Sequence, residues 1–415
     1  MLTALVLVSL TQAPHYPPTR ERVERFRVGS VGLSTLEDSI MASAVWFAPS
    51  NGSGMGAECA GTVPTASVSG TVSAISFTRS SAATCQTGSN SAVTAVTALS
   101  ADQPKVTKGS GSILGLKVEN AHTNSVVGSE SLDQAPWNSS SLVIGLPTIT
   151  ADQATLPGLG AVAERVQIPA MVSPYPVNYS QVYQLSGCAA GTDSFGMFVK
   201  GNGKSNTFDI GTSGVPAGTT CSYTDGVWSH CVIENFTATG AVSFGNVSST
   251  IARTSQDFFV TGVQCNEGPK LLSYAATTAA PAVTAIDTAS ISVPAALTAT
   301  TGSAAMTGVD GMNGGGILAF SGGNNRPIYL NIDYRVFDGA NVVQSAVAYA
   351  SGTRAWSSWT GAVLTILGVT GTFDGDMTEA SSTFTLGNIA PSSAGNAANN
   401  VITRVCLDPS PTRCR

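Results

Sequence analysis

The chain has 415 residues, long enough for two or three domains that each bury a core. Charged residues make up 11% and apolar residues 43%, which excludes a disordered chain, since disorder needs low hydrophobicity and high charge. A net charge of −6 leaves no basic stripe for nucleic acid, and no run reaches the ~18 apolar residues of a membrane span.

Residues 1–13, MLTALVLVSLTQA, have the apolar stretch and small-residue end of a secretory signal. Against that reading, no Lys or Arg precedes the stretch and Pro14 follows the cut. Residues 14–125 read as an N-terminal linker and β connector. ERVERFRV is at most a turn or two of helix, and the strands TVSAISFTR and SILGLKVE dock onto the next module.

Small and β-branched residues with scattered glycine then favour strands joined by turns. In residues 126–270 the candidate strands are 163–168, 181–185, 195–200, 206–211, 228–236, 241–245 and 258–265, at the spacing of an antiparallel sandwich. Residues 271–415 give a second sandwich. There PIYLNIDYRV alternates as one half-buried strand, with Ile328, Leu330, Ile332, Tyr334 and Val336 on one face. Asp338-Gly339 marks the following turn, and GMNGGGILAF is a loop before a strand, since it lacks the Lys of a phosphate loop. The fold class is therefore all-β: tandem antiparallel sandwiches behind a short connector.

Eight cysteines without a CxxC, beside three histidines, argue against zinc. Buried free thiols and disulfides in an oxidising compartment both fit, and disulfides are favoured. The grouping suggests Cys59–Cys85, Cys188–Cys265, Cys221–Cys231 and Cys406–Cys414, with three connectivities open for the middle four.

Catalytic signatures are missing: there is no GxSxG, HExxH or Walker loop. His230 reads as a sheet residue. Asp374, Asp376 and Glu379 form a turn by composition and are the candidate Ca²⁺ ligands, because that ion takes hard oxygen donors. Sugar binding needs an aromatic platform beside polar side chains. Trp356 and Trp359 with Arg354 are the platform candidates, against packing in the core. Tyr175, Tyr179 and Tyr183 form a second aromatic set, read as packing.

Short motifs in order along the chain carry a resemblance. Phe77, Thr78, Arg79, Ser81, Ala83 and Thr84 are followed by Gly115, Leu116, Glu119, Ala121, Thr123 and Asn124, then by Ser129, Glu130, Asp133, Ala135 and Trp137. This resembles a junction in bacteriophage tail-fibre and virion-appendage proteins and related bacterial surface proteins. Gly262, Gln264, Glu267 and Gly268 stand near the family's exit motif, with Cys265 and Asn266 departing from its spacing. The resemblance implies a carbohydrate-binding-module-like jelly roll over residues 126–270 and a concanavalin-like, laminin-G-type jelly roll over 271–415. It places Trp137 and Trp228 in the core and suggests a structural Arg79–Glu119 pair. It further implies a non-catalytic, extracellular or virion adhesion protein whose partners are glycans, with avidity from a homo-oligomer. A purely structural decoration module and a polysaccharide-degrading enzyme are the alternatives.

Overall fold

In the computed structural model the described residues are 45–47, 59, 65–68, 71–108, 114–248, 250–293, 297, 299–309, 316–320, 325–330, 333–378, 383–387 and 401–415. The apolar stretch of residues 1–13, the ERVERFRV run and Glu379 lie outside them. The described elements are all strands, joined in antiparallel ladders, so the fold is all-β. Among the described residues no helix is long and apolar enough to cross a membrane.

A five-stranded and a seven-stranded sheet make the middle sandwich. The smaller runs in the order Asn138–Leu142, Tyr179–Gln184, Val242–Asn246, Asn206–Ile210, Thr220–Tyr223. The larger is centred on Gln256–Glu267, between Val162–Ile168 and Ala190–Gly201, and carries Trp228–Thr239 beyond. Inward residues of both meet in one core, where Phe208 stacks on Phe258 at 4.6 Å and Trp137 meets Phe244 edge-on at 6.1 Å. Trp137 also donates its indole N–H to the Gly128 carbonyl at 2.9 Å, which satisfies its polar edge.

The other face of the larger sheet is covered by the hairpin Ala83–Ser89 and Ala92–Leu99. Val93 and Val96 of the hairpin pack there with Phe198, Trp228 and Tyr274. Trp228 is thus buried, but beneath the hairpin and not between the two sheets.

The C-terminal sandwich packs a ten-stranded against a seven-stranded sheet. Strands from the segment read as a connector lie in both. Ser76–Thr78 pairs with Thr288–Ser292, and Leu114–Lys117 pairs with Val401–Asp408. Their Phe77, Leu116 and the neighbouring Val118 enter the same core as Phe320, Trp359 and Phe384. The run PIYLNIDYRV is two strands, Arg326–Leu330 and Asp333–Phe337, paired with each other as Tyr329↔Arg335 and Leu330↔Tyr334. Alternation is kept on both sides of the break, so a period of two does not reveal it.

Four disulfides join Cys59–Cys85, Cys188–Cys265, Cys221–Cys231 and Cys406–Cys414. Cys221–Cys231 links the two sheets of the middle sandwich, and Cys406–Cys414 ties the C-terminal tail to a central strand.

At the seam between these bodies lies a buried ion network. Arg79 donates to Asp287 at 3.1 Å and to the carbonyls of Ser81, Ser100 and Gln103. Asp287 also accepts the Glu119 backbone N–H at 2.9 Å, while the Glu119 carboxylate pairs with Lys105 at 3.1 Å. The expected Arg79–Glu119 pair is therefore corrected. Each has a different ionic partner, and Asp287 bridges them by facing both the guanidinium and the Glu119 backbone.

Candidate functional site

The tryptophan platform does not form. Side chains three apart in a strand point to opposite faces, so Trp356 and Trp359 of Arg354–Thr360 cannot share one surface. Trp359 is 0% exposed and lies edge-on to Phe320 at 6.4 Å, inside the core. Trp356 is half-buried with the Arg415 guanidinium 5.0 Å above its ring, and Arg354 donates to the Cys414 carbonyl at 3.2 Å. Both residues pin the C-terminal tail.

The acidic turn is likewise occupied with itself. Asp374 Oδ1 accepts the Asp376 N–H and Asp376 Oδ1 accepts the Thr378 N–H, each at 3.0 Å. Asp338, at the preceding Asp-Gly turn, accepts the Asp374 N–H at 3.0 Å. Among the described residues no group of three or more His, Cys, Asp or Glu side chains is arranged to hold a metal. The Ca²⁺ site at Asp374 and Asp376 gains no support from this geometry, and its third ligand, Glu379, is outside the described residues.

The second aromatic set is the one that reaches solvent. Along Tyr179–Gln184, Ser180, Val182 and Gln184 are buried while Tyr179, Gln181 and Tyr183 face outward, half-exposed. Strand register sets Asn138, Ser140 and Leu142 directly beside them, opposite Tyr183, Gln181 and Tyr179. Gln181 donates to Ser140 Oγ at 3.1 Å, which orients its amide across the face. On the other side Gln181 is opposite Gly245, whose φ of 153° and contact with the Ser180 carbonyl leave no room for a Cβ. The row therefore carries no side chain between Gln181 and Asp209. Beyond Gly245 stands Asp209, which accepts from Arg253 Nε at 2.8 Å and from the Val247 and Ser248 N–H groups.

One end of this face runs onto apolar loops. Tyr175, 45% exposed, meets Tyr179 edge-on at 5.6 Å, and its N–H bonds the Ser248 carbonyl. Leu142, Val143, Leu146, Val172, Val177 and Ile251 are exposed around it. Val143 is 81% exposed with φ at 77°, a left-handed conformation that a β-branched residue adopts only under constraint. Sequence reasoning singled out the tyrosines but read them as packing, and it missed Ser140, Gln181 and Val143. The serine-rich strand Asn138–Leu142 has no apolar alternation by which to recognise it.

A cleft of about 640 Å³ opens where the hairpin meets the larger sheet of the middle sandwich. Two ion pairs lie along it, Lys105 with Glu119 at 3.1 Å and Lys270 with Glu234 at 2.7 Å, and Lys117 also lines it. Burial alone would raise the Glu119 pKa, but Lys105 and Lys117 outweigh it and hold the carboxyl at about 2. His230 hydrogen-bonds Gln86 through Nδ1 at 2.8 Å and stacks on Phe198 at 4.2 Å. Burial and then the Lys105 charge lower its pKa to about 3, so it stays neutral. The carboxyls whose pKa is raised, Glu164, Asp193 and Asp287, do not line this cleft.

No protein-family model and no curated protein matches the chain. Solved structures that resemble parts of it include the following two. One is the enzymatically active domain of tailspike protein 4 from bacteriophage CBA120, at 15% identity and a TM-score of 0.24, over 34% of this chain and 21% of that one. The other is a family 11 carbohydrate-binding module from Clostridium thermocellum in complex with a β-1,3-1,4-mixed-linked tetrasaccharide. It shows 13% identity and a TM-score of 0.23, over 38% of this chain and 98% of that one. The architecture described above rests on the chain's own ladders and cores, and the chain spans about a fifth of the tailspike domain.

Proposed function

We propose that this chain is a non-catalytic recognition protein that binds glycans on the outer face of its five-stranded sheet. The observation that carries the reading is the outward row Tyr179, Gln181 and Tyr183, with the Gln181 amide oriented by Ser140 between the two rings. Pyranose rings have apolar faces and hydroxyl edges, so they suit a sheet face that offers aromatic surface and an amide together. Four disulfides fit an extracellular or virion setting, whether on a phage-like fibre or a bacterial surface. A glycosidase needs a carboxylic acid that keeps its proton near neutrality beside a second carboxylate. The cleft carboxylates Glu119 and Glu234 are each matched to a lysine, so the cleft does not supply such a pair.

The test is a glycan array with the oxidised protein, the Tyr179→Ala/Tyr183→Ala variant and a Lys270→Ala control in the cleft. Binding that is about tenfold weaker in the tyrosine variant and unchanged in the control supports the proposal. Equal binding by all three removes the site from this face. A second reading is a structural module that contacts protein neighbours, favoured by the exposed apolar loops at Val143, Leu146, Val172 and Val177. An empty array with folded protein selects it.

A further inference from the structure

Asp193 is the least accounted-for charged group among the described residues. It lies on the strand Ala190–Gly201, is 0% exposed, and neither carboxylate oxygen has a hydrogen-bond partner. The strand's alternation puts it on the side of the sheet that carries Phe195 and Met197, at the rim of the middle core. Its cross-strand partner in the register is Glu267, the last residue of Gln256–Glu267, which is exposed to solvent. Two carboxylates directly opposite on one face repel each other, and the ladder gives neither strand freedom to separate them. A bulge sits at this point, where Asp193 pairs with Phe236 but Phe195 pairs with Ile233, and Asn235 takes a φ of 58°. The backbone is thereby shaped around a side chain that no donor among the described residues serves.

A buried carboxylate is costly unless it is paired, hydrogen-bonded, bound to a metal or protonated. We infer that Asp193 and Glu267 form a binding site for a hard divalent cation, Ca²⁺ above all, at the open rim of the middle sandwich. The two side chains supply carboxylate oxygens only, which suits Ca²⁺ and disfavours softer metals that prefer nitrogen or sulfur. Cys188 and Cys265 nearby are disulfide-bonded and donate no thiolate. Glu267 gives the ion a solvent-facing entrance, and water completes a coordination shell of roughly six to eight oxygens. A site with so few protein ligands belongs in the weak range of extracellular modules, about 10⁻⁴ to 10⁻³ M. Burial and the Glu267 charge raise the Asp193 pKa to about 6, as expected where the counter-ion is a cation or a proton.

The deciding experiment follows thermal unfolding of the full chain at pH 7.5 in EDTA and in 5 mM CaCl₂, with titration calorimetry of CaCl₂ into the EDTA-stripped, dialysed protein. Wild type should gain roughly 3–6 °C in CaCl₂. Asp193→Asn should unfold at the same temperature in both buffers. Glu267→Gln, at an exposed position that tolerates change, should bind Ca²⁺ at least about tenfold more weakly; it carries the test alone if Asp193→Asn does not fold. A Ca²⁺ gain kept in full by either folded variant overturns the site. The absence of any gain or heat in wild type assigns the buried charge to a proton instead and equally overturns it.

Discussion

Glu164 is 2% exposed on the strand Val162–Ile168, and one of its carboxylate oxygens has no hydrogen-bond partner. Burial first, and then the charges of Asp133 and Asp152, raise its pKa from 4.5 to about 7. The folded state therefore binds a proton more tightly than the unfolded state does. The ionised side chain weakens the fold above pH 7, and this penalty fades as the pH falls toward 4.5. Glu164→Gln should thus stabilise the protein at pH 8 by on the order of 2 kcal/mol and do little at pH 4.5. Chemical denaturation at both values checks it, and an equal change at both would mean that Glu164 is not strained by its charge. Val143 offers a second test at this scale. Asparagine accepts the left-handed conformation more readily than valine, so Val143→Asn should stabilise by about 1 kcal/mol. If it also weakens a ligand found on the tyrosine face, the exposed valine is part of that surface. At single positions, sequence separated residue types well but not their surroundings. Trp359 and Tyr179 both read as aromatics in polar company; only the sheet opposite buries the first and leaves the second open.

At the scale of elements, the strands with apolar alternation were legible and the polar ones were not. The candidate at 163–168 falls within Val162–Ile168, and the candidate at 195–200 falls within Ala190–Gly201. The ladders Asn138–Leu142 and Thr148–Thr155 went unread, because NSSSL and TITADQAT hold a sheet edge through backbone bonds rather than through an apolar face. That omission hid half of the candidate site, since Ser140 and Leu142 belong to the first of them. An even cysteine count made disulfides legible at this level, and one of them yields a measurable energy. Cys188–Cys265 closes 77 residues of chain and joins a surface turn to the central strand of the larger sheet. Replacing both cysteines by alanine should cost about 4 kcal/mol, mainly by freeing the unfolded chain. Cys406–Cys414, separated by 8 residues, should cost clearly less. Denaturation midpoints of the two double variants test the order, and a reversed order would show that local packing outweighs loop length.

For the whole molecule the decisive contacts are distant in sequence, and this is why its assembly was the least legible level. Arg79 and Asp287 are 208 residues apart, yet both are almost wholly buried and touch at 3.1 Å. Alternation and turn signals report only on neighbours along the chain, so they could not say which sheet would receive Ser76–Thr78 or Leu114–Lys117. The motif resemblance picked out Arg79 and Glu119 as notable but assigned them to each other. The seam they build joins the turn after the hairpin through the Ser100 and Gln103 carbonyls, the C-terminal sandwich through Asp287, and the exit of the middle sandwich through the Glu119–Ser273 bond. A buried charge deprived of its partner costs more than the intact pair contributes. Arg79→Met should therefore destabilise by about 3–5 kcal/mol, because it strands Asp287. Asp287→Asn keeps an oxygen for the Glu119 N–H and carries no charge, so adding it to Arg79→Met should recover about half of that loss. If the seam holds the bodies together, limited proteolysis of Arg79→Met should cut near residues 100–104 and 268–287 before either sandwich is attacked. Protection in these segments equal to that of wild type would mean that the sandwiches are held by their shared strands alone, and that the ion network is a consequence of their packing.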